Sequence, residues 1–159
     1  MPVVIEMSVS ESADPDEGDI PDTDELQFWA DKALMRDDEV VASLQIVGGN
    51  EMRELNHTWR GKDKSTNVLS FPMEIPPDMP DVAEMNILGD IVLCADVINA
   101  EAEQQQITKQ AHWAHMIVHG MLHLQGYDHI EDEQAKEMES LEIRILNQLG
   151  FANPYEQQH

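Results

Sequence analysis

Cysteine is almost missing from this chain. Cys94 is the single one in 159 residues, so no internal disulfide can form and a reducing, cytoplasmic setting is expected. Basic residues are scarce as well: 9 Lys and Arg stand against 32 Asp and Glu, for a formal charge of −23 and a pI near 4.3. That balance excludes a uniformly basic nucleic-acid-binding surface and a polybasic membrane anchor. Long apolar runs are absent too, because His, Asp or Gly interrupts every one within ten residues, which excludes a transmembrane span. The opening stretch MPVVIEMSVSESADPDEGD has neither the basic n-region nor the long apolar h-region of a signal peptide. There is no internal repeat and no low-complexity linker. A single domain over 1–159 is therefore expected, with an acidic loop at 10–21 and a C-terminal tail at 151–159. With 42% hydrophobic residues, a chain of this length can bury a core without covalent staples.

What is present is a readable alternation of periods. Val3, Ile5, Met7 and Val9 alternate as a first strand. Asp22 with Glu25 three residues on resembles a capping box, and Leu26, Trp29, Ala30, Ala33 and Leu34 then share one helical face. Val40, Ala42, Leu44 and Ile46 alternate as a second strand, stopped by Gly48-Gly49. Asn50 can cap a short helix carrying Met52, Leu55 and Trp59. Asn67–Phe71 reads as a third strand ended by Pro72, and Ile87–Cys94 as a fourth after a proline-rich loop. Helices follow over Ala95–Gln106, from a Thr108 cap to Gln125 with Gly126 as the stop, and over Glu131–Leu149 with Met138, Leu141, Ile145 and Leu149 inward. The order β-α-β-α-β-β-α-α-α implies an α+β layer fold, a small sheet with helices packed on it.

The chemistry is concentrated in HWAHMIVHGMLHLQGYDH, which holds five of the seven histidines. A step of four residues overshoots one helical turn by about 40°, so His112, His115, His119 and His123 fall along one stripe. One histidine on a helix is ordinarily a hydrogen-bonded core or surface residue; four on a stripe are not. They cannot all hold one ion, because His115 and His123 are separated by about 12 Å of helix rise and a Zn–N bond is about 2.0–2.1 Å. A straight helix offers one metal an adjacent i, i+4 pair. For His119 and His123 a third ligand is at hand: Gly126 can end the helix with a positive-φ turn and bring His129 back. The pair His115/His119 has no third partner visible in the sequence. His119, His123 and His129 are therefore the expected metal ligands, with His112 and His115 supporting or packing against them. Three neutral imidazoles leave zinc's fourth position open, the arrangement of a catalytic site, although the same donors suit nickel, copper or iron.

These offsets, His119-x3-His123-x2-Gly126-x2-His129, are those of the metzincin proteases. Their general-base glutamate is replaced here by Gly120. Without it a peptidase lacks the group that deprotonates water and passes the proton to the leaving amine. A mid-helix glycine costs about 1 kcal/mol relative to alanine, so either something packs closely at Gly120 (a backbone or a substrate) or it is a simple helix–helix contact.

Against the acidic background, Arg60, Lys62 and Lys64 place three of the nine bases within five residues of the segment WRGKDKSTNVLSFP, with Arg53 upstream. Such a loop is either a solvated turn or an anion-holding element. Arg60 offers a planar bidentate fork suited to phosphate.

Together, RGKDKSTNVLSFP, LGDI and HGMLHLQGYDH, in that order and spacing, resemble the YbeY family of bacterial rRNA maturation factors over about Leu26 to Tyr155. The resemblance implies an α+β domain with a four-stranded mixed sheet, about five helices and a metzincin-like metal-binding cleft. It implies a zinc-dependent, single-strand-specific endoribonuclease acting in small-subunit rRNA 3′-end maturation and ribosome quality control. Its partners would be a single-stranded rRNA precursor and the ribosome or ribosomal proteins, with no membrane. His119, His123 and His129 match the family's zinc ligands and Arg60 its functionally important arginine. Lys62 and Lys64 are expected to contact neighbouring phosphates. Asp128 is either a general acid or an orienting partner of a histidine, and Asp90 is either a carboxylate behind the ligands or a turn residue. A zinc peptidase-like hydrolase and a non-catalytic assembly factor with a structural zinc are the alternatives.

Overall fold

The computed structural model of the chain describes residues 3–9, 20–35, 40–72, 87–127 and 131–155. The acidic loop expected over 10–21 lies outside these, apart from Ile20 and Pro21, as do His129 and Asp128.

The elements run β1 (Val3–Val9), α1 (Thr23–Ala33), β2 (Val40–Val47), α2 (Gly49–Arg60), β3 (Val68–Pro72), β4 (Ile87–Cys94), α3 (Ala95–Gln105), α4 (Lys109–Leu124) and α5 (Asp132–Gln148). The four strands form one mixed sheet in the order β1-β2-β4-β3. β1 and β4 flank β2 in parallel, while β3 is antiparallel to β4. This is the α+β class that the sequence pattern implies, with five helices among the described residues.

Strand periodicity sorts the core. In β4, Ile91 and Leu93 face a large cluster with Leu26, Trp29, Trp113, Ile117 and Met121, while Val92 and Cys94 face a smaller one with Val47, Met52 and Leu69. Helices α1 and α4 thus cover one face of the sheet and α2 the other. Burial pushes the Cys94 thiol above its ordinary value, and at 0% exposure it is a packing residue rather than a reactive one.

Local signals act largely as read. Asp22 Oδ1 accepts the Glu25 N–H at 2.9 Å and starts α1, and the Glu25 carboxylate accepts from Gln110 on α4. Thr108 Oγ1 accepts the Ala111 N–H at 3.0 Å and starts α4. The start of α2 differs from expectation. Gly48, not Asn50, is its N-cap, and no cap side chain serves it. Asp96 of α3 instead accepts the Gly49 N–H at 2.9 Å, a tertiary carboxylate doing the work of a local cap.

One glycine is dictated by geometry. Gly89, in the LGDI motif, has φ +142° and pairs with both Ala42 and Pro72, where the β2–β4 register shifts. A Cβ there would lie 2.2 Å from the Phe71 carbonyl oxygen. Glycine there lets the β3 and β4 backbones approach closely near the start of β4.

Candidate active site

Helix α4 carries the histidine stripe, and the structure divides its members by depth. His112 is buried, and its Nε2 lies 2.8 Å from Glu101 Oε1 on α3. Glu101 also accepts from Asn67 at 3.1 Å. His112 therefore ties helix to helix and to the start of β3, as a packing residue. His115, His119 and His123 are half-buried, stacked edge-to-face with ring centroids 6.3 Å and then 4.5 Å apart.

Beside them stands Glu142 of α5, fully buried. Its Oε1 lies 2.5 Å from His119 Nδ1 and 3.6 Å from His115 Nε2. Its Oε2 accepts from the Tyr155 hydroxyl, which comes from the C-terminal segment. Burial works to raise this carboxyl, but the contacts with His115 and His119 outweigh it and hold it down at about 2. Tyr155 is driven the other way, by burial first and by Glu142 second, so it keeps its proton and donates. A carboxylate only accepts, so Nδ1 of His119 carries the proton, which in the neutral ring leaves the lone pair on Nε2. That Nε2 lies 3.1 Å from Nε2 of His123.

Two donor sets thus meet at His119. His115, His119 and Glu142 bring one ligand atom each within 4.8 Å of one another and could hold a metal ion. On the other side of the ring, the Nε2 atoms of His119 and His123 converge. Two bonds of about 2.0–2.1 Å can reach a single ion from atoms that close, so the pair fits zinc. The third partner for His115 and His119 that the sequence does not show is Glu142. The carboxylate is 19 residues beyond His123 in sequence and reaches the stripe only because α5 packs on α4. A signal for it does exist: Glu142 is four residues after Met138, and four and three before Leu146 and Ile145, on the buried face of its own helix. A carboxylate on an apolar stripe needs a partner.

The basic island faces the same cleft. Arg60, Lys62 and Lys64 line a cavity of about 710 Å³ together with His119, His123, Asn56, Ser70 and Tyr127. The loop after α2 is shaped by Gly61 at φ 71°, by Asn56 Nδ2 donating to the Lys64 carbonyl at 2.8 Å and by Ser65 Oγ donating to the Gly49 carbonyl at 2.6 Å. Arg53 pairs with Asp63 at 2.7 Å on the exposed side of the loop. Arg60 donates from Nη2 to the Ser70 carbonyl at 2.9 Å, and its guanidinium lies 5.4 Å from the Phe71 ring centroid. The fork is thereby held against β3 at the cleft wall.

Three other expectations resolve. Gly120 faces the sheet: a Cβ there would meet the Ile91 side chain of β4 at 3.1 Å, so the glycine lets α4 sit close on the sheet. Asp90 is exposed in β4, opposite Phe71, and lines a separate cleft on the far side of Arg60 rather than the histidine cleft. Gly126 has φ 100° directly after α4, as the stop signal requires, while His129 falls outside the described residues.

The sequence model of the family described as Endoribonuclease YbeY matches residues 16–150 of the 159. The chain belongs to the YbeY endoribonuclease family. Membership carries the expectation of endoribonuclease action in rRNA maturation. The fold is similar to the solution structure of TM1509 from Thermotoga maritima, with 24% identity, a TM-score of 0.55, and coverage of 96% of this chain and 99% of that one. Among the described residues no helix is long and apolar enough to cross a membrane.

Proposed function

We propose that this YbeY-family chain is a zinc-dependent, single-strand-specific endoribonuclease acting in small-subunit rRNA 3′-end maturation and ribosome quality control. The observation that carries the reading is the shared cleft: the His119/His123 nitrogen pair and the Arg60–Lys62–Lys64 island line one cavity in a chain of charge −23. A phosphodiester suits a bound metal and a guanidinium acting together, and this cleft would present both to it.

His119 and His123, with His129 as third, would hold the zinc. When bound, zinc supplies Lewis acidity toward a phosphodiester oxygen and toward water. Glu142 keeps the His119 proton on Nδ1, and Tyr155 holds Glu142 in turn. Arg60 binds the scissile phosphate and stabilises the charge that develops on it. Lys62 and Lys64 contact flanking phosphates, while the acidic body repels RNA elsewhere. Binding to free RNA is then weak and salt-sensitive, and the ribosome or its proteins supply the targeting.

Cleavage of an end-labelled single-stranded RNA by zinc-loaded protein, beside His123→Ala purified identically, tests the reading. Wild-type cutting that the variant lacks supports it. Equal cutting by both marks a contaminating nuclease. No cutting by either favours a non-catalytic assembly factor.

A further inference from the structure

The apolar stripe of α2 runs out into solvent at its end. Met52 is buried and Leu55 half-buried, yet Trp59, the next position on that face, is 66% exposed. The last turn of α2 sets Trp59 against Phe71 of edge strand β3 instead of in the core. The indole is not adrift. It meets Phe71 edge-to-face with centroids 6.1 Å apart, and the Arg60 guanidinium lies over that same Phe71 ring. Trp59, Phe71 and Asp90 line a cleft of about 460 Å³ that shares Arg60, Ser70 and Pro72 with the histidine cleft. The two cavities thus adjoin at Arg60.

We propose that Trp59 and Phe71 form a base-stacking subsite, which takes an unpaired nucleobase of the RNA strand whose phosphate lies on Arg60. The proposal rests on the nuclease reading above and adds the part of the substrate next to the scissile phosphate. A single strand presents alternating charge and π-face, and proteins bind it with basic grooves interleaved with aromatic rings. This surface has that order: histidines and Arg60 on one side, an exposed indole on the other. Asp90 tells which part of the nucleotide enters. Its carboxylate repels phosphate but accepts hydrogen bonds from the N–H groups that every base carries on its pairing edge. A base locked in a duplex has that edge occupied and its faces stacked, so the subsite admits single strands only.

The chain is suited to a direct test. Of its three tryptophans, Trp29 and Trp113 are 3% and 0% exposed, so a ligand that quenches fluorescence by stacking reports on Trp59. Titration with 2′-O-methyl hexauridylate and hexaadenylate should quench part of the emission, whereas an abasic strand of equal length should bind with little quenching. Trp59→Ala should weaken binding about 5- to 150-fold and leave its salt dependence unchanged. Trp59→Phe should keep most of the affinity, and melting temperatures should match the wild type because the side chain is exposed. Equal affinity of Trp59→Ala and wild type, or equal quenching by the abasic strand, overturns the subsite but leaves the nuclease reading standing. Failure of the wild type to bind any single strand overturns both.

Discussion

Glu142 Oε1 lies 2.5 Å from Nδ1 of His119, across the packing of α5 on α4. A carboxylate in that position fixes both the tautomer and the orientation of the ring. Such partners behind a ligand are worth about 10- to 100-fold in metal affinity. Glu142→Gln preserves the shape and removes the charge, so it should weaken zinc binding by about that factor while the protein stays folded. A competition titration with a chromophoric chelator checks it. Tyr155→Phe should fall between the two, since it removes the donor to Oε2 alone.

Arg60 is exposed and bonded to the Ser70 carbonyl, so its replacement should spare the fold. Arg60→Lys keeps the charge but loses the fork and the position over Phe71. A loss of about 10²- to 10³-fold in kcat/KM on single-stranded RNA is expected, with the melting temperature nearly unchanged. Parallel kinetics and thermal melts separate these.

Gly120 occupies the position of a peptidase general base, but its Cα faces Ile91 on the sheet. Gly120→Glu should therefore give no peptidase. It should force a charged side chain into buried space at a cost of roughly 3 kcal/mol or more. At about 2–4 °C per kcal/mol for a chain of this size, the melting temperature should fall by on the order of 10 °C. Zinc-dependent casein digestion by this variant would contradict the assignment.

His112 gives a pH signature. Burial lowers its pKa below the ordinary 6.5 more strongly than the Glu101 carboxylate raises it, and His115 adds a small further lowering. Among the described residues its Nδ1 has no hydrogen-bond partner. The unfolded chain thus takes up this proton more readily than the folded one. The associated stability is complete above about pH 6.5 and is lost as pH falls from there through the lowered folded value. Urea unfolding across pH 8 to 5 should show a shallower acid-side decline for His112→Gln than for the wild type.

Much of this was legible in the one-dimensional pattern, for a definable reason. Period 2 in Val40–Ile46 and period 3.6 in α4 state which side chains share a face of their own element, and turn chemistry at Asp22, Thr108 and Gly126 states where elements begin and stop. The histidine stripe follows from that arithmetic, and so does the mixed α/β alternation. Periodicity says nothing about which faces meet. The sheet order β1-β2-β4-β3 and the packing of α5 on α4 bring Glu142 to His119 and Arg60 into the cleft of His123. They also set Gly120 against Ile91 and supply Asp96 in place of an Asn50 cap. Trp59 shows the same limit from the other side: its spacing marks it as apolar-face, but exposure depends on where the sheet ends beneath the helix. The residue types and their spacing came from the chain itself; their convergence on one cleft came from long-range burial, which only the assembled sheet and helices could decide.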